Sequence, residues 1–150
     1  MLKNSFRILL IIIIFFQLSF VYGEEIFLSL KKNKVNVRYG PGFDFPVKYI
    51  YKKNNLPIKQ IDKKENFRRI IDIKNNSGWI HWSQLKTVNS VIILKDKIMF
   101  KNPTIFSKPL ANIKKGRLLV IKGCKKKWCK VETEGYKGWI DKDNLWGTTN

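Results

Sequence analysis

Histidine occurs once in 150 residues, at His81, and cysteine only twice, at Cys124 and Cys129. Zinc peptidase and amidase sites take two or three histidines, and two cysteines with one histidine cannot supply the four ligands of a structural site. A cysteine nucleophile would need one cysteine free and His81 brought to it from far along the chain. Serine catalysis lacks its Gly-x-Ser-x-Gly elbow, and neither a Walker loop nor a paired dinucleotide glycine motif is present. This inventory points away from an enzyme and requires no metal or cofactor.

Acidic residues are scarce as well, eleven against thirty basic ones, for a formal net charge of +19. A field of that sign attracts polyanions and repels cations. Twenty-five of the thirty are lysine, whereas specific contacts to phosphates and bases favour the arginine fork, so no specific nucleic-acid partner is expected. The charge fits either a solvated basic surface or a face that holds anionic partners.

Long apolar runs are absent beyond the N-terminus. The sixteen residues from Ile8 to Gly23 lack charge, and at about 1.5 Å each they reach roughly 24 Å against a bilayer core of roughly 30 Å. With Val21 and Gly23 suiting a small-residue cleavage rule, residues 1–23 read as a secretory signal, and the mature chain starts near Glu24. Retention as an anchor is the alternative reading; after cleavage no membrane span is expected. In an exported chain an even cysteine count favours a bridge. Cys124 and Cys129 flank the hairpin tip Lys125-Lys126-Lys127-Trp128, and linking them is worth about 2 kcal/mol of chain entropy.

Against these absences stands a repeat. Gly78-Trp79-Ile80 recurs sixty positions on as Gly138-Trp139-Ile140, with Leu85 and Leu145 each six residues after the tryptophan. Upstream, Val35, Val37, Arg38, Pro46, Val47 and Ile50 align at an offset of sixty-three with Ile98, Phe100, Lys101, Pro109, Leu110 and Ile113. A period near sixty is too long for solenoid turns, so each copy is a small unit of its own. Units this small are marginal and gain from a clip or from packing on one another.

No segment after the signal sustains a helical apolar period, whereas short apolar runs between turn residues predict strands. In copy one these are 26–30, 35–37, 57–61, 67–73 and 79–82, with the irregular stretch 38–46 broken at Gly40-Pro41-Gly42. Five short strands and one long early loop predict a small closed barrel without exposed edges. The link Lys86–Ser90 has no glycine or proline and runs into Val91-Ile92-Ile93-Leu94, so a fixed interface burying part of that strand is expected.

Copy one contains Val35-Asn36-Val37-Arg38-Tyr39-Gly40-Pro41-Gly42, Pro46-Val47, Leu56-Pro57, Phe67-Arg68-Arg69-Ile70 and Gly78-Trp79-Ile80-His81. Copy two contains Cys124, Trp128-Cys129, Gly135 to Ile140 and Leu145-Trp146-Gly147. Together these resemble the bacterial SH3-like (SH3b) family of exported proteins. Asn-Val-Arg-x-Gly-Pro-Gly is the specific block; copy two departs there with Ile98-Met99-Phe100-Lys101-Asn102-Pro103. The resemblance implies an all-β chain of two tandem SH3-like β-barrels, residues 24–88 and 89–150, after the signal peptide. It implies non-catalytic binding or scaffolding modules of the periplasm or cell envelope that engage peptidoglycan stem peptides or an envelope protein. Electrostatic adhesion to anionic envelope polymers or a membrane surface is the alternative.

The candidate ligand-binding residues are Arg38, Tyr39, Phe43, Phe67 and Trp82. Aromatic faces near turns make shallow grooves for extended peptides or sugar rings, although about half the aromatics in a small barrel must face its core. Trp79 and Trp139, which recur, read as packing residues; Trp82, replaced by Lys142 in copy two, reads as a surface residue. Arg38 either offers its fork to a ligand carboxylate or carbonyl, or ties down carbonyls of its own loop. With only Asp44 among the loop's neighbouring lysines, acidic ligands are favoured over basic proline-rich ones.

Overall fold

A computed structural model describes residues 25–147; the signal assigned to residues 1–23 lies outside the described residues. Two seven-stranded antiparallel sheets follow one another. The first comprises β1 (Ile26–Leu30), β2 (Val35–Arg38), β3 (Val47–Tyr51), β4 (Pro57–Lys64), β5 (Phe67–Ile71), β6 (Ser77–His81) and β7 (Leu85–Thr87), in the order β3-β2-β6-β5-β4-β1-β7. A 3-10 turn, Trp82–Gln84, joins β6 to β7. The second comprises β8 (Ser90–Ile93), β9 (Lys97–Phe100), β10 (Pro109–Ile113), β11 (Leu118–Lys125), β12 (Trp128–Thr133), β13 (Tyr136–Asp141) and β14 (Leu145–Trp146), in the equivalent order β10-β9-β13-β12-β11-β8-β14.

Two strands of the first sheet were not anticipated. β3 is mostly exposed and alternates weakly, and β7 has three residues, too few for a period to register. Closure also differs from expectation: among the described residues neither sheet pairs its two ends, and β3 and β7, like β10 and β14, are edges. The core is instead enclosed by side chains. Tyr49 and Tyr51 from β3 and Leu85 from β7 pack on the same cluster of Leu30, Val35, Val37, Ile58, Ile70 and Ile80. Short twisted strands can wrap one core in this way without hydrogen bonds across the seam.

Gly78 sets which residues face inward. A Cβ there would fall 2.4 Å from Val37 Cγ1 and 3.0 Å from the Arg38 carbonyl; at Gly138 it would fall 2.5 Å from Met99 Cγ and 2.8 Å from the Phe100 carbonyl. With Gly78 and Ile80 inward, the two-residue period turns Trp79 outward. The recurrent tryptophans are therefore half-buried on the outer faces and belong to neither core cluster. Trp79 stands opposite Arg38 and Arg69, and Trp139 opposite Phe100 and Lys130.

The same pairings correct the alignment of the two copies. Arg38 pairs with Trp79 and Phe100 with Trp139, so the offset at β2 and β9 is sixty-two, and Val35 corresponds to Lys97. A slip of one residue exchanges the faces of a strand. Ile98 accordingly points to solvent, while Lys97 is buried and ion-paired with Asp141. The long loops follow the same offset. Tyr39 N donates to the Pro46 carbonyl as Lys101 N does to Lys108, and Gly42 N to Gly40 as Thr104 N does to Asn102.

β8 is buried along its whole length. Val91 and Ile93 join the second core; Ser90 and Ile92 turn towards the first sheet. Ser90 Oγ lies 2.9 Å from Ser29 Oγ and also donates to the Asn55 carbonyl. A contact between copies is present at this strand and Ser90 carries its hydrogen bonds, while Val91 and Ile93 of the expected Val91–Leu94 stretch are buried in the second core. At the far end of the second sheet Cys124 and Cys129 face each other across the β11–β12 hairpin and are disulfide-bonded.

Candidate functional site

The loop between β2 and β3 bends back over the end of the first sheet. Arg38, the last residue of β2, draws it there: Nη1 donates to the carbonyls of Phe43 at 3.2 Å and Phe45 at 2.7 Å. Close approach within the loop requires Gly40, where a Cβ would meet the Phe45 ring at 2.3 Å. So held, Phe43 lies with its ring 5.5 Å from the Arg38 guanidinium carbon, 5.2 Å from the Phe67 ring and 5.1 Å from the His81 ring. Phe67 and His81 are cross-strand partners on β5 and β6, 5.2 Å apart. Trp82 follows, 6.2 Å from His81.

Four of the five expected residues, Arg38, Phe43, Phe67 and Trp82, thus form one ledge, in which Phe67 is the buried floor and Phe43 and Trp82 are 65% and 54% exposed. Tyr39 stands apart, its exposed ring over the Lys48 ammonium at 5.6 Å. His81 completes the ledge and was not among the expected residues. Its signal is its direct pairing with Phe67, which a strand register reveals and a motif does not. Ser83 N donates to His81 Nδ1 at 3.4 Å and Ser83 Oγ lies 2.8 Å from it.

This arrangement offers stacking faces, an imidazole and a cation. Arg38 spends Nη1 on its own loop, and among the described residues Nη2 and Nε make no hydrogen bond. Tying the loop and meeting a carboxylate are compatible roles for the one fork. Among the described residues no three His, Cys, Asp or Glu side chains are grouped to hold a metal ion, and no helix is long and apolar enough to cross a membrane.

A larger cleft of about 800 Å³ opens between the two sheets, lined by Tyr49, Tyr51, Asp72 and Ile92 among others. Its carboxylate and phenols are committed to one another, while Lys53 and Lys74 also line it and, among the described residues, their ammonium groups are in no ion pair. Asp72 accepts from Lys74 N, Asn76 N, Asn76 Nδ2 and the Tyr51 hydroxyl, at 2.8 to 3.0 Å, and Tyr49 and Tyr51 hydroxyls are 3.4 Å apart. Burial, with the neighbouring Asp72 charge adding to it, raises both phenols above their ordinary range. The ledge differs from the cleft in setting its guanidinium beside exposed aromatic faces.

The model of the bacterial SH3 domain family matches residues 31–86 and again 96–147. No curated protein is significantly similar to the chain. Among solved structures, NlpC2 and NlpC1 from Trichomonas vaginalis are similar at 14% and 15% identity over 85% of this chain, each with a TM-score of 0.39. The chain spans 49% and 47% of their lengths, and likenesses this distant carry no argument about what it does.

Proposed function

The chain belongs to the bacterial SH3 domain family, and on that premise we propose that it is an exported, non-catalytic binding module of the cell envelope with domains 24–88 and 89–150. Its first domain engages peptide-like, carboxylate-bearing groups such as the stem peptides of peptidoglycan, or a wall-associated protein that presents the same chemistry. The observation that supports this reading is the Arg38–Phe43–Phe67–His81–Trp82 ledge, where exposed aromatic faces flank a guanidinium with free donors. Without residues 1–23, which hold Lys3 and Arg7 and no acidic residue, the chain keeps a net charge of +17, which favours an acidic partner.

Binding of the mature chain to purified, insoluble peptidoglycan across a salt series tests the proposal. Aromatic contacts survive about 0.5 M salt, where exposed charges are screened within roughly 4 Å, and Phe43→Ala or Trp82→Ala weakens binding by more than about 1 kcal/mol while the fold persists. Complete loss by that salt concentration, with both variants unchanged, would replace this reading with plain electrostatic adhesion.

A further inference from the structure

The β9–β10 loop carries the most exposed large apolar side chains of the described residues, Phe106 at 92% and Ile105 at 66% exposure. It has the same length as the β2–β3 loop and the same closing hydrogen bond, yet its tip does the opposite. In the first sheet Arg38 pulls Phe43 back onto Phe67 and His81. The position of Arg38 is taken in the second sheet by Phe100, which packs edge-on against Trp128 at 5.8 Å and has no side-chain donor.

The second loop is nonetheless fixed. Besides Lys101 N to the Lys108 carbonyl at 2.9 Å, Ser107 N donates to the Thr104 carbonyl at 3.2 Å and Asn102 N to Ser107 Oγ at 2.9 Å. These bonds stay within the loop, so Ile105 and Phe106 are held out in solvent and need little further ordering to bind. Beyond the loop, on β9 and β10, Ile98 and Leu110 are also exposed and line one shallow groove. Lys101 and Lys108 stand exposed at the base of the loop, and among the described residues neither is in an ion pair.

A convex apolar tip with a collar of free cations suits a soft anionic boundary, where side chains enter the acyl layer and ammonium groups meet phosphates. We propose that the β9–β10 loop docks the second domain on a bilayer bearing acidic headgroups, inserting Ile105 and Phe106 and placing Lys101 and Lys108 on the headgroups. The site is separate from the wall-binding ledge and does not depend on it.

Sedimentation of the mature chain with phosphatidylcholine vesicles, plain or with about 30% phosphatidylglycerol, tests this. Binding should require the acidic lipid. Phe106→Asp should lower the partition coefficient about tenfold or more, and Phe106→Trp should retain it. Lys101→Glu with Lys108→Glu should reproduce the loss, and peptidoglycan binding should be unchanged in all variants. Absence of vesicle binding, or binding indifferent to Phe106→Asp, overturns the proposal. So does a crosslinker at position 106 that captures a protein while vesicles go unbound, since the tip then fills a protein pocket.

Discussion

Trp146 Nε1 donates to the Pro57 carbonyl at 3.2 Å, tying the last strand of the second sheet to the first. The same ring meets Phe27 edge-on at 5.1 Å. Gly147 beside it has φ +112° and no room for a Cβ, which would lie 2.7 Å from the Ser90 carbonyl. Trp146→Ala should cost about 2 kcal/mol through the lost hydrogen bond and aromatic pair, and calorimetry should show both sheets melting earlier. Unchanged melting of the first sheet would mean that the joint does not couple them.

Lys97 occupies the inward position that Val35 fills in the first sheet, with 6% of its side chain exposed and Asp141 as its partner. Removing the carboxylate strands a buried ammonium. Asp141→Ala should therefore destabilise the chain by about 3 kcal/mol, whereas Lys97→Met, which removes the charge and keeps the volume, should be neutral or stabilising. Urea unfolding of the two variants measures this; equal losses would contradict it.

The Cys124–Cys129 bond closes a short hairpin loop at the edge of the second core, where Cys129 is buried. Replacing both with serine should lower stability by about 2 kcal/mol. The loss should appear in the second sheet's transition, and thiol titration of the parent protein should find no free thiol before reduction.

Tyr49 and Tyr51 are raised by burial above the ordinary phenol value. The folded state therefore favours the protonated phenols; their contribution is intact below about pH 10 and is lost as pH rises through the folded values. The melting temperature should fall above about pH 10. Tyr51→Phe should flatten that fall while lowering stability at neutral pH, because Asp72 loses one hydrogen bond. An alkaline profile identical in the variant would remove Tyr51 as a cause.

Much of the architecture was legible along the chain. Turn residues and short apolar runs indicated an all-β chain, Gly-Trp-Ile and the Asn-Val-Arg block indicated tandem copies of one family, and two lone cysteines indicated a bridge that the structure contains. Each of these depends on residues near one another in sequence, whose turn geometry and period are local. The sixty-three-residue offset failed for a related reason. It matched Ile98 to Val35 by apolarity, but β9 takes its face from pairing with β13, where Gly138 admits Met99 and leaves Lys97 inward.

By itself the sequence determined five of the first sheet's seven strands, the repeat, the covalent clip and the basic charge, because composition and local periodicity encode them. Only the tertiary structure decided which residues meet. His81 joined Arg38 and Phe43 because β5 pairs with β6 and the loop folds over both. The replacement of Arg38 by Phe100 became visible only once the register was known, and with it the difference between a loop tied down and a loop displayed. Contacts between strands far apart in sequence depend on register, and register is settled by side chains fitting across the sheet, not by the order in which they occur along it.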